Sequence, residues 1–566
     1  MSGGGKGSSL LETVTGGFAR STSACRGRNR CHSLGLPKAM PVERPALDHG
    51  PFGKERDMEM QARERPARDE RAGEATPAPA GAREQILVQG QTCWRIERAD
   101  KLAVIIDAAE YFRHAKAAML NAERSIFLIG WDFDTRIEFE PGQKTLEGPN
   151  ALGRFLTWLS RRRKRLEIFV LKWNLGFLKN LPRGTTPLFI LDWITSRRIH
   201  FRLDAKHPPS AAHHQKVAVI DDCLAFCGGI DMTVGRWDTR EHIEQDERRR
   251  IPRGGLSKPW HDAAVAVDGP AAAALGDLAR ERWGRATGNW IKPLESDRKL
   301  WPEKLEPTFR DIDIGLARSW PERDEAEPAY EVAALTFAAI AAARKTLFIQ
   351  SQYLASRRIA EALADRLQEP DGPEIVIVLP AEADGWLEIK TMDAARTRLL
   401  SHLRSRDPYR RFSAYYPTNA AGTPIYVHAK ILFVDDRLLR IGSSNLNNRS
   451  MGFDSECDVA IEACPGTARE AEIREEILSI RDDLIAEHMG CGLEEVRAAI
   501  RDAGSIAGAV DRLRRDGAPC LVPMPNGEND LIDTALAEGE LVDPERPEIL
   551  RRGLSRVFSG WFGRGR

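Results

Sequence analysis

The sequence predicts an α/β protein made of two homologous α/β lobes with a small helical appendage at the C-terminus. Three observations support this fold class. Segments with strand and helix patterns alternate along most of the 566 residues. A block of the first half recurs in the second half at a constant offset. After about residue 465 the pattern becomes helical.

The alternation is clearest when the two halves are compared. In the first half, "AAEYFRHAKAAMLNA" has helical spacing, and "SIFLIGWDF" has the composition of a buried strand. A second helix, "ALGRFLTWLSRRRKR", and a second strand, "LEIFVLKW", follow them. In the second half, helix and strand patterns follow in the same order, from "AYEVAALTFAAIAAARKT" and "LFIQSQYL" to "EIVIVLP" and "KILFVDD". Helices that alternate with apolar strands are expected to cover a sheet.

The two halves also share an internal repeat. Asp221 aligns with Asp435 at an offset of 214, and the same offset matches Gly228 with Gly442 without a gap. A repeat of this size indicates a duplicated lobe rather than a solenoid. The sequence therefore divides into a polar N-terminal segment (1–85), a first lobe (86–305), a second lobe (306–465), a helical C-terminal region (466–545) and a basic tail (546–566).

The two end segments have distinctive compositions. Residues 1–85 are rich in Gly, Ser, Pro, Arg and Glu, so we expect them to be disordered. The tail contains "ILRRGLSRVFSGWFGRGR", with five arginines and no acidic residue. Its apolar residues follow helical spacing, which is typical of a helix that lies on a membrane surface. A helix that docks on its own protein would show the same pattern, and both interpretations stay open.

The composition of the chain limits which binding partners and which cellular compartment we expect. The chain has 83 basic and 83 acidic residues, so its net charge is zero and we expect no nucleic-acid partner. It has neither a long apolar run nor a signal-peptide pattern, so we expect a cytoplasmic or peripheral membrane protein, with secretion as an open alternative. The nine cysteines are scattered without a metal or disulfide spacing. We also expect a monomer.

The strongest functional signal is the motif H-x-K-x-x-x-x-D, which occurs twice, at residues 214–221 and 428–435. Alternate residues of a strand point to one face, so the His and Lys of each copy can face one pocket. One imidazole can attack a phosphorus atom while a second protonates the leaving group, and the two lysines stabilise the phosphate charge without a metal. We predict one shared catalytic site formed by His214, Lys216, Asp221, His428, Lys430 and Asp435.

Other residues are assigned by their positions near the two copies. Small polar or glycine residues that follow each copy are predicted to bind the substrate phosphate: Gly229, Ser443 and Asn445. Two acids in apolar surroundings, Asp262 and Glu456, are predicted to orient the two imidazoles. For Asp221 and Asp435 a structural role at the strand end stays open. Three other histidines are expected to be ordinary polar groups at the rim of the site: His213, His242 and His261.

At these residues the sequence resembles the phospholipase D superfamily, whose signature is the duplicated H-x-K-x-x-x-x-D. The blocks "HHQKVAVIDDCLAFCGGIDMTVGRWDT", "PWHDAAVAVDGP" and "IYVHAKILFVDDRLLRIGSSNLNNRSMGFDSE" are most similar to the catalytic core of eukaryotic-type phospholipases D. The resemblance covers roughly residues 90–465. It implies a pseudo-twofold sandwich with one active site between the lobes, and no cofactor.

The resemblance also implies how the reaction is divided. His214 is expected to form a phosphatidyl-histidine intermediate, and His428 is expected to act as acid and then base. The spacing alone does not decide this order. One departure is Ser351, where the family usually has asparagine.

The expected function is a phospholipase D, which hydrolyses glycerophospholipids such as phosphatidylcholine to phosphatidic acid. Such an enzyme also transfers the phosphatidyl group to alcohols. The main alternative is a phosphatidyltransferase of the cardiolipin synthase kind. A nuclease or other phosphodiesterase of the superfamily and a lipid-binding scaffold without activity are further alternatives.

Overall fold

A computed structural model describes most of the two predicted lobes. The described residues are 85–174, 193, 196–208, 211–252, 254–296, 298–321, 327–384, 392–526 and 543. The chain divides into two units, 1–77 and 78–566, and the described residues all belong to the second. Nearly all of the predicted disordered segment 1–85 and the whole basic tail 546–566 lie outside the described residues.

The strands follow the apolar runs of the sequence. Those of the first half are β1 (Arg95–Ile106), β2 (Ser125–Gly130), β3 (Glu167–Trp173), β4 (Ile199–Asp204), β5 (Val217–Ile220), β6 (Leu224–Gly228), β7 (Trp260–His261) and β8 (Ala263–Asp268). Those that follow are β9 (Phe309–Trp320), β10 (Ala329–Tyr330), β11 (Thr346–Gln350), β12 (Glu374–Val378), β13 (Phe412–Thr418), β14 (Tyr426–Val427), β15 (Ile431–Val434), β16 (Leu438–Gly442), β17 (Glu456–Glu462) and β18 (Cys520–Pro523).

One large sheet carries most of these strands, and its order is the same on both sides of the centre. From the central β1–β9 pair, one side runs β1-β8-β6-β5-β2-β3-β4 and the other runs β9-β17-β16-β15-β11-β12-β13. In both halves the three outer strands of this set are parallel, and the inner ones are antiparallel. The predicted α/β class is confirmed. The predicted boundary at 305/306 falls just before β9.

Helices cover both faces of the sheet. They are α1 (Ala108–Leu120), α2 (Leu152–Arg162), α3 (Gly269–Thr287), α4 (Glu331–Ala342), α5 (Arg357–Gln368), α6 (Ala394–Ser405), α7 (Glu470–Met489), α8 (Leu493–Ala503) and α9 (Ile506–Leu513). α1 and α2 pack on one face of the first half, and α4 to α6 pack on the second half. α3 and α7 to α9 share a core with strands of both halves. Alternate residues of β2 enter different cores because successive side chains of a strand point to opposite faces.

The sequence pattern predicted a helical C-terminal region, but the structure also contains a strand there. After α9, the strand β18 pairs antiparallel with β13 and extends the sheet. The short stretch "CLVP" gave no periodic signal of its own, so only its partner strand reveals it. Among the described helices, none combines the length and the apolar composition that crossing a bilayer would require.

Candidate active site

Two short hairpins near the sheet centre place the repeated motif. β5 and β6 pair antiparallel in the first half, and β15 and β16 pair in the same way in the second. His214 and Lys216 lie immediately before β5, and His428 and Lys430 lie immediately before β15. All four side chains are largely buried.

Each histidine is held by backbone from the other half of the chain. The amide of His214 donates to the carbonyl of Ser455, 2.9 Å away, directly before β17. The amide of His428 donates to the carbonyl of His261, 2.8 Å away, at the end of β7. In both cases the residue that follows the accepting carbonyl in the chain is an acid, Glu456 after Ser455 and Asp262 after His261. The exchange therefore delivers a carboxylate from one half to the imidazole of the other.

The first of these carboxylates belongs to Glu456. Its two oxygens both lie 3.0 Å from Nδ1 of His214. The hydroxyl of Ser443 donates to the carboxylate at 2.5 Å, and the hydroxyl of Ser450 donates to it at 2.7 Å. Glu456 is fully buried, so these contacts fix its position and leave Nε2 of His214 as the reactive nitrogen.

The second carboxylate belongs to Asp262, and it lies 2.7 Å from Nδ1 of His428. The amide of Ala263 donates to its other oxygen at 2.9 Å. A Cβ atom at position 229 would lie only 2.1 Å from that oxygen, so glycine is required there for Asp262 to keep its place. Among the described residues, Nε2 of neither motif histidine has a hydrogen-bond partner.

The two lysines are anchored in the same way but have different partners. Nζ of Lys216 donates to the carbonyl of His214 at 2.9 Å and forms an ion pair with Asp231 at 3.1 Å. Nζ of Lys430 donates to the carbonyl of His428 and to the amide oxygen of Gln352, 3.2 Å away. Of the two motif lysines, therefore, only Lys216 has a carboxylate among the described residues as its direct partner.

Burial and neighbouring charges set the protonation states. Burial, with Lys216 and Lys430, lowers the pKa of His214 well below its usual value. Burial lowers the pKa of His428 too, and among the smaller causes are Lys430, Lys216 and His214, so the two motifs influence one another. Burial also lowers the pKa of Lys430 to about 7 and raises the pKa of Glu456 to about 7. The site thus favours neutral imidazoles and contains two groups that titrate near neutrality.

The structure corrects the catalytic assignment of Asp221 and Asp435. Both lie in hairpin turns at the far end of their strands, with positive φ angles of 49° and 53°. The carboxylate of Asp221 accepts the amides of residues 123–125 at 2.7–2.8 Å. That of Asp435 accepts the amides of residues 344–346 at 2.7–3.2 Å. Each aspartate thus binds the start of the neighbouring strand, which is the structural alternative, and contacts neither imidazole.

The residues predicted to bind substrate have other contacts. Gly229 adjoins Asp262, and the hydroxyl of Ser443 is bonded to Glu456, so both support an orienting carboxylate rather than offering a free group to phosphate. Asn445 is buried, and its amide oxygen has no hydrogen-bond partner among the described residues. Its predicted contact with the substrate stays a prediction.

The expectation of rim positions for three histidines is wrong. His213, His242 and His261 are each at most 2% exposed, and their rings contact Ser455, Asp238 and Glu487, respectively. Sequence reasoning also missed Asp231 and Gln352, the partners of the two lysines. Asp231 had a detectable signal, since the offset of 214 places it opposite Asn445.

The fold and the site together define a class of protein. It is an α/β protein in which two histidine–lysine pairs, supplied by repeated halves of one chain, share one site and exchange orienting carboxylates.

Comparisons with known proteins agree with this class. Residues 337–476 match a family model described as "Cardiolipin synthase, PLD-like domain". Phospholipase D A of Dictyostelium discoideum is 23% identical over 65% of this chain and 33% of its own length. Phospholipase D alpha 4 of Arabidopsis thaliana is 23% identical over 68% of this chain and 64% of its own length. The chain therefore belongs to the phospholipase D superfamily, and it spans from a third to just under two thirds of these relatives.

A solved structure was also found to be similar. The phosphatidylserine synthase of Haemophilus influenzae Rd KW20 is 13% identical, with a TM-score of 0.47, over 69% of this chain and 88% of its own.

Proposed function

We propose that the protein is a phospholipase D, which hydrolyses glycerophospholipids and transfers their phosphatidyl group to alcohols. The observation that carries the proposal is the pair of imidazoles, each with Nδ1 on a buried carboxylate from the opposite half of the chain. This arrangement leaves two Nε2 atoms for one phosphate group. The relatives named phospholipase D support the same substrate class.

In the proposed first step, Nε2 of His214 attacks the phosphorus atom and the bond to the headgroup oxygen breaks. His428, protonated on Nε2 once the anionic phosphodiester is bound, gives this proton to the departing alkoxide. The lysine side chains stabilise the charge on the phosphoryl oxygens. A phosphatidyl group bonded to His214 and a free headgroup alcohol result.

In the second step, His428 removes a proton from water, the water oxygen attacks phosphorus, and the phosphorus–nitrogen bond breaks. Phosphatidic acid leaves and His214 returns to its neutral form. An alcohol in place of water gives a phosphatidyl alcohol by the same steps. His214 is assigned as the nucleophile from the family resemblance.

A phosphatidyltransferase of the cardiolipin synthase kind is the second candidate, because the matching family model carries that description. The two functions share the first step and differ in the acceptor. With phosphatidylglycerol as the only lipid, this candidate would yield cardiolipin and free glycerol, whereas hydrolysis would yield phosphatidic acid.

The test uses purified full-length protein with mixed vesicles of phosphatidylcholine and phosphatidylglycerol, with and without ethanol, and mass spectrometry of the lipids. We expect phosphatidic acid, and phosphatidylethanol when ethanol is present. His214→Ala and His428→Ala should abolish both products, and His402→Ala, at an exposed position on α6, is the matched control. Lipid turnover that survives in both active-site variants would refute the mechanism.

A further inference from the structure

A second cluster of ionisable side chains lies buried beside the active site. It consists of Asp107, His242, His261 and Glu487, which we call the buried quartet. One potential ligand atom from each residue lies within 4.8 Å of the others. The side chains are at most 3% exposed. They come from the β1–α1 junction, the loop after β6, strand β7 and the last turn of α7.

The four shortest distances from a histidine nitrogen to a carboxylate oxygen in the quartet are close to those between ligands of one ion. Nδ1 of His261 lies 3.0 Å from Oε1 of Glu487 and 3.3 Å from Oδ1 of Asp107. Nε2 of His242 lies 3.4 Å from Oε1 of Glu487 and 3.5 Å from Oδ2 of Asp107. Tetrahedral zinc, with bonds of about 2.0–2.1 Å, would hold its ligands about 3.3 Å apart.

The outer nitrogen of each ring is already engaged by an oxygen acceptor. Nδ1 of His242 lies 3.0 Å from a carboxylate oxygen of Asp238, and Nε2 of His261 lies 2.8 Å from the amide oxygen of Gln350. The amide nitrogen of Gln350 contacts Nε2 of His488 at 3.0 Å. With an oxygen acceptor beside it, each outer nitrogen carries a proton whether the ring is neutral or charged. A neutral ring then directs a lone pair into the quartet, as metal-binding histidines do.

Two atoms of the quartet lack the hydrogen bonds that their burial would demand. Nδ1 of His261 and Oδ2 of Asp107 have no hydrogen-bond partner among the described residues, although oppositely polar atoms lie close by. Buried polar atoms are rarely left unpaired in proteins. An ion pair between imidazolium and carboxylate would aim the N–H at an oxygen. Nε2 of His242 makes such a contact with Glu487 at 3.4 Å, but Nδ1 of His261 does not.

We propose that the buried quartet binds one divalent transition-metal ion of the zinc class, with two imidazole nitrogens and two carboxylate oxygens as ligands. The ion joins α7 to the first lobe. It also braces the active site, since Asp262 follows His261 in the chain and its amide donates to Asp107 at 3.0 Å. The quartet residues are positioning residues, and the ion is not assigned a chemical step.

The test measures metal in untagged full-length protein purified without chelators, by inductively coupled plasma mass spectrometry. The protein is then stripped with a strong chelator and titrated separately with Zn²⁺ and Co²⁺. We expect about one equivalent of bound metal, a lower melting temperature after stripping, and visible Co²⁺ absorption bands of tetrahedral type. His242→Ala and Glu487→Gln should reduce the bound metal at least tenfold.

The matched controls are His402→Ala and Glu472→Gln, whose side chains are exposed on α6 and α7. Both should keep one equivalent. If stripped wild-type protein binds neither ion at micromolar concentration and keeps its melting temperature, the quartet is a network of imidazolium–carboxylate ion pairs and the proposal is overturned. This result requires no assay of lipid turnover, so it is separate from the fate of the proposed function.

Discussion

Replacing Glu456 by glutamine is expected to affect activity and stability in opposite directions. Burial raises the pKa of this carboxyl to about 7 from an ordinary value of 4.5. Between these pH values the folded protein keeps a proton that the unfolded chain has lost, so unfolding releases it and stability falls as pH rises. A glutamine side chain has no such proton to release, so Glu456→Gln removes this loss of stability.

The size of the effect follows from the two pKa values. The interval from 4.5 to 7 corresponds to about 3 kcal/mol when the carboxyl is fully ionised in both states. From pH 5 to pH 8 the change is about 2 to 3 kcal/mol. The free energy of unfolding of Glu456→Gln, relative to wild type, should therefore rise by this amount over that range. The loss of the hydrogen bonds from Ser443 and Ser450 changes the free energy of unfolding equally at pH 5 and pH 8. It therefore does not alter the difference between the two pH values.

Activity should respond in the opposite sense. The ionised carboxylate keeps the proton on Nδ1 of His214 and so keeps Nε2 free to attack phosphorus. For wild type, kcat/KM should rise with pH up to about 7. In Glu456→Gln this rise should vanish, and kcat/KM at pH 8 should fall about 100-fold or more, as for the loss of a general acid–base partner.

Urea denaturation at pH 5 and pH 8, followed by circular dichroism, and pH profiles of lipid turnover provide the two measurements. Glu475→Gln, at a carboxylate 66% exposed on α7, is the matched control. A stability difference between variant and wild type that is equal at both pH values would refute the assignment of Glu456 as a buried group that ionises near neutrality.

Three further predictions concern single residues. The pKa of Lys430 is about 7, so wild-type kcat/KM should fall above neutrality, and Lys430→Arg should move this alkaline fall by at least two pH units upward in the same assay. Gly229→Ala forces Asp262 from its place, so kcat should drop more than tenfold, whereas Gly492→Ala, with nothing within 4 Å, should leave it unchanged. Asp221→Asn should cost about 2 kcal/mol in urea unfolding while kcat stays within a few-fold, because the lost bonds are structural. A collapse of kcat with unchanged stability would contradict this last expectation.

The exchange of carboxylates links assembly of the two halves to formation of the site. Glu456 and Asp262 each follow a residue whose carbonyl accepts the amide of the opposite motif histidine. Neither imidazole is oriented until the halves have packed together. The buried quartet adds a third connection, between Glu487 of α7 and His261 of β7. The carbonyl of His261 also accepts the amide of His428.

The sequence predicted much of this arrangement because a repeated motif is a local signal. His214 and His428, their lysines and the α/β alternation are visible in short windows, and the two acids were identified by their apolar surroundings. Gln352 and Glu487 were not identified, because each contacts a residue distant in the chain. Asp231 was also missed, although the repeat offset places it opposite Asn445. Single acids and amides carry no periodicity that would separate them from surface residues.

By itself, the sequence determined the fold class, the duplicated motif and the chemistry that a pair of imidazoles can perform. These depend on spacing and side-chain type, which are properties of the chain alone. The tertiary structure decided that the motif aspartates bind backbone amides, that Ser443 supports a carboxylate, and that the histidines expected at the rim are buried. Such roles depend on which distant groups reach bonding distance, and only the packing of the two halves sets those distances.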